Sequence, residues 1–227
     1  MRYDLNLVNA ISSVIKENRI TDLILGLHRK NDISESFLGG LVEGVLTTCN
    51  TTTLIYKSTQ PLSTIKRHIV IVPPDAEREI GFPFWLLKVW NIGKNTGATL
   101  KFYAAANTMK FIKGVQQNHP LEADFEELQN WDEFLIISNE VKKDDNLIIV
   151  MSRGELPSHN HKMEQIPHYL DKYFKNNNFI LVYPIQVAVR LNTYNFRNST
   201  MHNPADKKYD QTKEIQKNLE EMFLNEY

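Results

Sequence analysis

Cysteine is almost missing from these 227 residues, Cys49 being the only one. No disulfide can close within the chain and no cysteine tetrad can hold zinc, so a reducing compartment is its natural setting. Long hydrophobic runs are missing as well. No apolar stretch approaches the roughly 18 residues that cross a bilayer. The first nine residues lack the basic start and apolar centre of a secretory signal. A cytoplasmic location is therefore expected, with no direct membrane insertion of this segment. Charge of one sign is scarce too: 26 Lys and Arg stand against 27 Asp and Glu, so no global field draws the chain to nucleic acid. Reaction motifs are absent in their turn. No Walker P-loop, no G-x-G-x-x-G and no G-x-S-x-G occurs, which removes the common phosphoryl-transfer, dinucleotide and serine-hydrolase signatures. His159, His161 and His168 have no carboxylate or thiolate at a fixed offset, so no metal site is expected.

What is present is an alternation of strand-like and helix-like segments. Residues 5–18 carry Leu7, Ile11, Val14 and Ile15 at helical spacing. The run Asp22-Leu23-Ile24-Leu25-Gly26 has the length of a strand buried on both faces. A second amphipathic helix, capped by Ser34 or Ser36, reaches about residue 48, and residues 52–56 form a strand. Ser, Thr, Gln and Pro mark 58–66 as a linker. A new cycle follows, with strands at 69–72, 99–104, 124–128, 146–151 and 179–183. Its helices fall at 84–94, 109–117, 131–143 and 163–176. Residues 134–137 suit strand or helix, and the internal echo below favours helix. An Asn-rich loop over 192–206 precedes a charged helix over 206–223. The stripe of Phe82, Phe84, Trp85 and Trp90 reads as core, and Cys49 lies at a helix end that does not favour a thiolate.

Such alternation predicts an α/β fold, a parallel sheet with helices on both faces. An echo inside the chain sharpens this. Ile11-Ser12, Ile15-Lys16 and Asp22-Leu23-Ile24-Leu25 correspond to Ile137-Ser138, Val141-Lys142 and Asn146-Leu147-Ile148-Ile149. Likewise 50–56 corresponds to 176–183. Residues 1–57 thus match the last two strands and helices of a unit that 67–186 contains whole, with 58–66 as linker and 187–227 as loop and terminal helix. Half a parallel sheet leaves an open edge. Either the natural chain continues upstream, which is the favoured expectation, or a domain-swapped or edge-paired dimer completes it.

A buried strand, a glycine, a short loop, nine residues, a glycine, a helix and a final strand resemble the universal stress protein family. The resemblance implies a doubly wound five-stranded parallel sheet and frequent homodimers. Its nucleotide-binding members carry Gly-x2-Gly-x9-Gly-Ser/Thr after the fourth strand and an Asp after the first, and the loop cradles phosphates. The first copy offers Gly26, His28, Gly39 and Gly40 at that spacing, with Arg29 in place of the second glycine. The second copy offers Ser152, Arg153 and Gly154, and Pro73-Pro74-Asp75 stands where the family's aspartate does. On the residues alone, Asp75 is a turn residue and Arg29 a surface cation. ATP or AMP is the ligand the resemblance implies, the motif being incomplete in both copies. The doubled arrangement is also similar to the cytoplasmic C-terminal region of bacterial sodium/proton antiporters of the cation:proton class. That likeness implies a regulatory, non-enzymatic module attached to the inner membrane through an upstream transport domain. A stand-alone nucleotide-binding stress protein is the alternative.

Overall fold

Residues 6–27, 38–154 and 156–186 are described in the computed structural model. His28, the capping serines of the second helix and the terminal helix at 206–223 lie outside them. Helix α1 (Leu7–Asn18) starts where the Asn6 side chain accepts the Val8 N–H, and stops at Arg19, which turns left-handed at φ 52°. Strand β1 (Asp22–Gly26), α2 (Gly39–Thr48) and β2 (Thr52–Lys57) follow. The next span is pinned rather than loose. The Asn178 side chain accepts from the Thr59 and Gln60 N–H groups at 2.6 and 3.0 Å and donates to the Gln60 carbonyl at 2.7 Å.

The second cycle runs β3 (Arg67–Ile71), α3 (Phe82–Thr96), β4 (Thr99–Ala104), α4 (Ala106–Asn118), β5 (Ala123–Glu127), α5 (Phe134–Ile137), β6 (Asp145–Val150), α6 (Ile166–Tyr173) and β7 (Asn178–Tyr183). Pro83 opens α3, where its missing N–H costs nothing, and Gly97 closes it at φ 68°. Two helices are shorter than their periodicity predicts. The expected helix over 131–143 is a 3-10 turn at Trp131–Glu133 and a single α-turn. There Ser138 Oγ bonds back to the Leu135 carbonyl at 2.6 Å, and Glu140 is drawn away to Lys101 and Arg67. The helix expected over 163–176 opens as a 3-10 turn and becomes α-helical only at Ile166, with Pro167 in its first turn.

All seven strands join one sheet in the order β1-β2-β7-β6-β3-β4-β5. The five strands of the second cycle are parallel, and so are β1 and β2 to each other. The joint between the two sets is antiparallel, β2 against β7, with Ile55 opposite Leu181 and Leu54 opposite Val182. Alternate residues feed two cores. On one face α3 and α4 bring Phe82, Trp85, Trp90 and Ile112 onto Val70, Phe102 and Ile148. On the other, α2, α5 and α6 bring Val42, Phe134, Ile166 and Leu170 onto Ile69, Ile71, Leu147 and Leu181. Helix α1 joins that face through Ile15, packed with Val45 and Cys49.

Strand β1 departs from the expectation of burial on both faces. Every residue of β6 is buried, whereas Ile24 in β1 is 70% exposed. The two strands hold the same position beside their parallel neighbours, but β6 has β3 on its other side and β1 ends the sheet. The opposite edge, β5, carries Asp124, Glu126 and Glu127, charges that discourage strand addition.

Candidate functional site

Chain winding reverses between β3 and β6, since β4 and β5 extend the sheet one way and β7 the other. Open α/β sheets hold ligands at the carboxyl ends of the two strands flanking such a reversal. The segments leaving β3 and β6 therefore form the candidate site.

After β3, Pro73 and Pro74 end the ladder because neither has an N–H to give. Asp75 follows in the left-handed region at φ 63° and caps a 3-10 turn, Ala76–Arg78. Its carboxylate is exposed and lies 3.4 Å from Arg78. Glu77 and Glu79 then turn inward, each 5% exposed. Glu77 accepts a 2.6 Å bond from the Thr108 hydroxyl on α4. Glu79 crosses to the loop after β6. Its Oε1 accepts from the Ser158 N–H at 3.1 Å, from Ser152 Oγ at 3.2 Å and from the Ser158 hydroxyl. The chain leaving β7 closes over this segment at Gly81, where an added Cβ would lie 2.5 Å from Pro184.

Of the residues the sequence singles out, the fold brings Asp75, Ser152, Arg153 and Gly154 to this end of the sheet. Ser152 is buried against Glu79, and Gly154 supplies a left-handed turn at φ 56°. Arg153 points away from the crevice. Its guanidinium donates to the carbonyls of Leu46, Cys49 and Thr51 at 3.1, 2.8 and 3.1 Å, and lies over the Tyr183 ring. Burial lowers its pKa, and burial raises that of Tyr183 to about 12. Gly26, Gly39 and Gly40 lie elsewhere. Because β2 and β7 are antiparallel, the carboxyl end of β1 is at the opposite end of the sheet from that of β6. The two glycine-bearing loops therefore do not form one site. Gly39, at φ 75°, starts α2 without a side-chain cap.

Two further polar clusters lie at the amino ends of the strands, and neither is signalled by a motif. Glu140 accepts from Lys101 at 2.7 and 2.8 Å, from Arg67 at 2.8 Å and from the Tyr103 hydroxyl. Arg67 also pairs with Asp145 at 2.7 Å. Burial opposes the charge on Glu140, but bonds from Lys101 and Tyr103 outweigh it and hold its pKa below the usual carboxylate range. His68, fully buried, lies between Asn146 at 3.0 Å and Thr96 at 2.9 Å. Among the described residues, no helix is long and apolar enough to cross a membrane.

No protein-family model matches the chain, and no curated protein matches it. Solved structures do. The chain is similar to the cytoplasmic domain of a prokaryotic cation chloride cotransporter, with 15% identity and a TM-score of 0.53 over 78% of this chain and 69% of that one. It is similar to a functionally unknown protein of Pseudomonas aeruginosa, with 13% identity and a TM-score of 0.55 over 96% of this chain and 74% of that one. A candidate universal stress protein of Pseudomonas aeruginosa gives 12% identity and a TM-score of 0.53 over the same shares. At these identities the likeness is one of fold: a universal-stress-like α/β arrangement with a mostly parallel seven-strand sheet flanked by helices.

Proposed function

We propose that this chain is a non-catalytic regulatory module of membrane cation transport, acting as the cytoplasmic part of a cation/proton antiporter. In this reading it is held at the inner membrane through a transport domain and works as a pair of copies. The supporting observation is the fold itself, which a cation chloride cotransporter's cytoplasmic domain shares over most of both chains. The use of the titratable groups supports a structural and sensing role over a chemical one. Glu140 and His68 have both of their polar atoms engaged with neighbouring side chains, and Glu77 and Glu79 are each buried with one carboxylate oxygen held by a hydroxyl. A general acid or base needs instead a group free to reach a substrate proton.

The reading is tested by cation-driven proton flux in everted membrane vesicles from cells with and without residues 1–227, at equal transporter abundance. The expected result is an altered rate or an altered dependence on pH or cation. Identical flux across all monovalent cations overturns the proposal.

A further inference from the structure

A doubly wound sheet buries its strands between helices on both faces, and the β1-β2 pair has helices on one face only. Helices α1 and α2 both pack on the side that presents Leu23 and Leu25. Ile24 belongs to the other side, in register with Leu54, on the face that α3 and α4 cover farther along the sheet. Among the described residues no helix continues that cover over β1, and Ile24 is left 70% exposed. An open groove results. Ile24 and Leu54 form its floor, Lys88 and Ile92 of α3 form its wall, and Leu62 lies beyond the end of β2. Asp22 and Lys88 pair at 3.0 Å where β1 begins.

The described chain ends at the mouth of this groove. Pro184 and Ile185 pass over Gly81, at the opening of α3. Gln186 then donates its N–H to Asn50 Oδ1 at 2.9 Å, just before β2 begins. Thr52 is level with Asp22, so Gln186 stands beside the end that Asp22 and Lys88 mark. Beyond it the sequence predicts an Asn-rich connection and then a charged helix over 206–223, with Ile215, Leu219, Met222 and Phe223 on one side. From Ile215 to Phe223 that apolar stripe is about 12 Å long, and Lys88 to Thr96 gives α3 a wall of about 12 Å. The connection over 187–205 has a root-mean-square span of about 25 Å, longer than either strand, so the stripe meets the groove at a high effective concentration.

We propose that residues 206–223 dock as a helix in this groove of their own chain. Ile215, Leu219, Met222 and Phe223 then lie against Ile24, Leu54 and Ile92, and β1 and β2 gain the helix that their open face lacks. The tail is favoured over a second copy because its tether leaves the body at the groove's mouth, whereas a second copy pays the full entropy of association. This inference stands apart from the transport reading, whose failure would leave it untouched.

The test uses the full chain. Leu219→Asp with Phe223→Asp places two carboxylates on the stripe and alters none of the residues that build the sheet or its cores. This double variant is expected to melt several degrees lower and to take up deuterium at least twofold faster over 22–26 and 88–96, with 178–183 unchanged. Lys217→Asp, on the opposite side of the predicted helix, is expected to do neither. Uptake and melting equal to wild type in the double variant overturn the proposal, and so does an equal loss in Lys217→Asp. Crosslinking identifies the occupant. Ile24→Cys is combined in turn with Ile215→Cys, Leu219→Cys and Met222→Cys and oxidised at low micromolar protein, Cys49 being buried and so kept out of the exchange. At least one pair should close a disulfide within a single molecule, and Ile24→Cys with Lys217→Cys should not. Disulfides that form only between molecules assign the groove to a second copy and overturn docking of the tail. The absence of any disulfide in all three pairs rejects it as well.

Discussion

At the residue scale, His68 shows how burial sets a charge state. Its ring is fully enclosed beneath α3, and burial lowers its pKa to about 4, with the nearby charge of Asp145 only partly opposing. An unfolded histidine titrates near 6.5. Between these values the unfolded chain binds the proton and the folded chain does not, so stability falls as pH drops from about 6.5 towards 4. A displacement of this size corresponds to about 3 kcal/mol at the acid end. Carboxylates titrate in the same window, so the histidine contribution is read by difference. Urea melts of wild type and His68→Gln at pH 7.0 and 4.5 should show the wild type losing more stability than the variant. Equal losses would show that the ring accepts a proton in the folded state. The Glu140 cluster behaves in the opposite sense. Its depressed pKa adds stability above the usual glutamate range, which is lost as pH falls through the folded value.

At the scale of elements, Arg153 ties a helix end to a strand pair. The last turn of α2 leaves carbonyls without partners inside the helix, and the Arg153 fork meets those of Leu46 and Cys49 while also reaching Thr51. Arg153→Ala would leave these acceptors half-buried and unpaired, at a cost of about 2–4 kcal/mol. Arg153→Lys should recover only a minor part, since a single ammonium cannot span the fork. Equilibrium denaturation checks both, and a midpoint unchanged in Arg153→Ala would mean that water replaces the fork. No sequence pattern announces this role, because the loop position that suggests a phosphate contact equally allows a side chain aimed at the backbone behind it. The strands were more legible: short β-branched runs bounded by Pro, Gly and Asn place them to within two residues or so, the acidic β5 included. Helix α5 was not, because Phe134, Ile137 and Val141 keep a helical period that the Ser138 and Glu140 contacts override. In the site, Asp75, Ser152 and Gly154 could be read from their place just after strands. Glu79 and Ser158 could not, since they lie 79 positions apart in irregular segments that only the tertiary fold brings together.

At the scale of the whole molecule, the antiparallel joint decides whether the chain behaves as one body. Two strands with unbroken apolar centres, Leu54-Ile55-Tyr56 in β2 and Phe179 to Tyr183 in β7, have no period that names their partner, so sequence left the joint open. The structure buries Ile55 and Leu181 completely, opposite each other, with Leu54 against Val182 on the other face. Lys57 reaches back over the Phe179 ring, and Asn178 pins the connecting span. With both cores running across the joint, the first two strands and helices should unfold together with the rest. The tryptophans make this measurable. Trp85, Trp90 and Trp131 all lie in the second cycle and are buried, so their fluorescence reports on it alone, whereas far-ultraviolet circular dichroism reports on every element. In wild type the two urea transitions should coincide. Ile55→Ala removes buried aliphatic volume at the joint, a change that costs about 2–5 kcal/mol. If the cost falls on the joint, the dichroism signal of Ile55→Ala should begin to fall at lower urea than its tryptophan signal, as α1, β1, α2 and β2 come away first. Separate transitions already present in wild type would instead mean that β2 and β7 form a seam between two independently stable bodies.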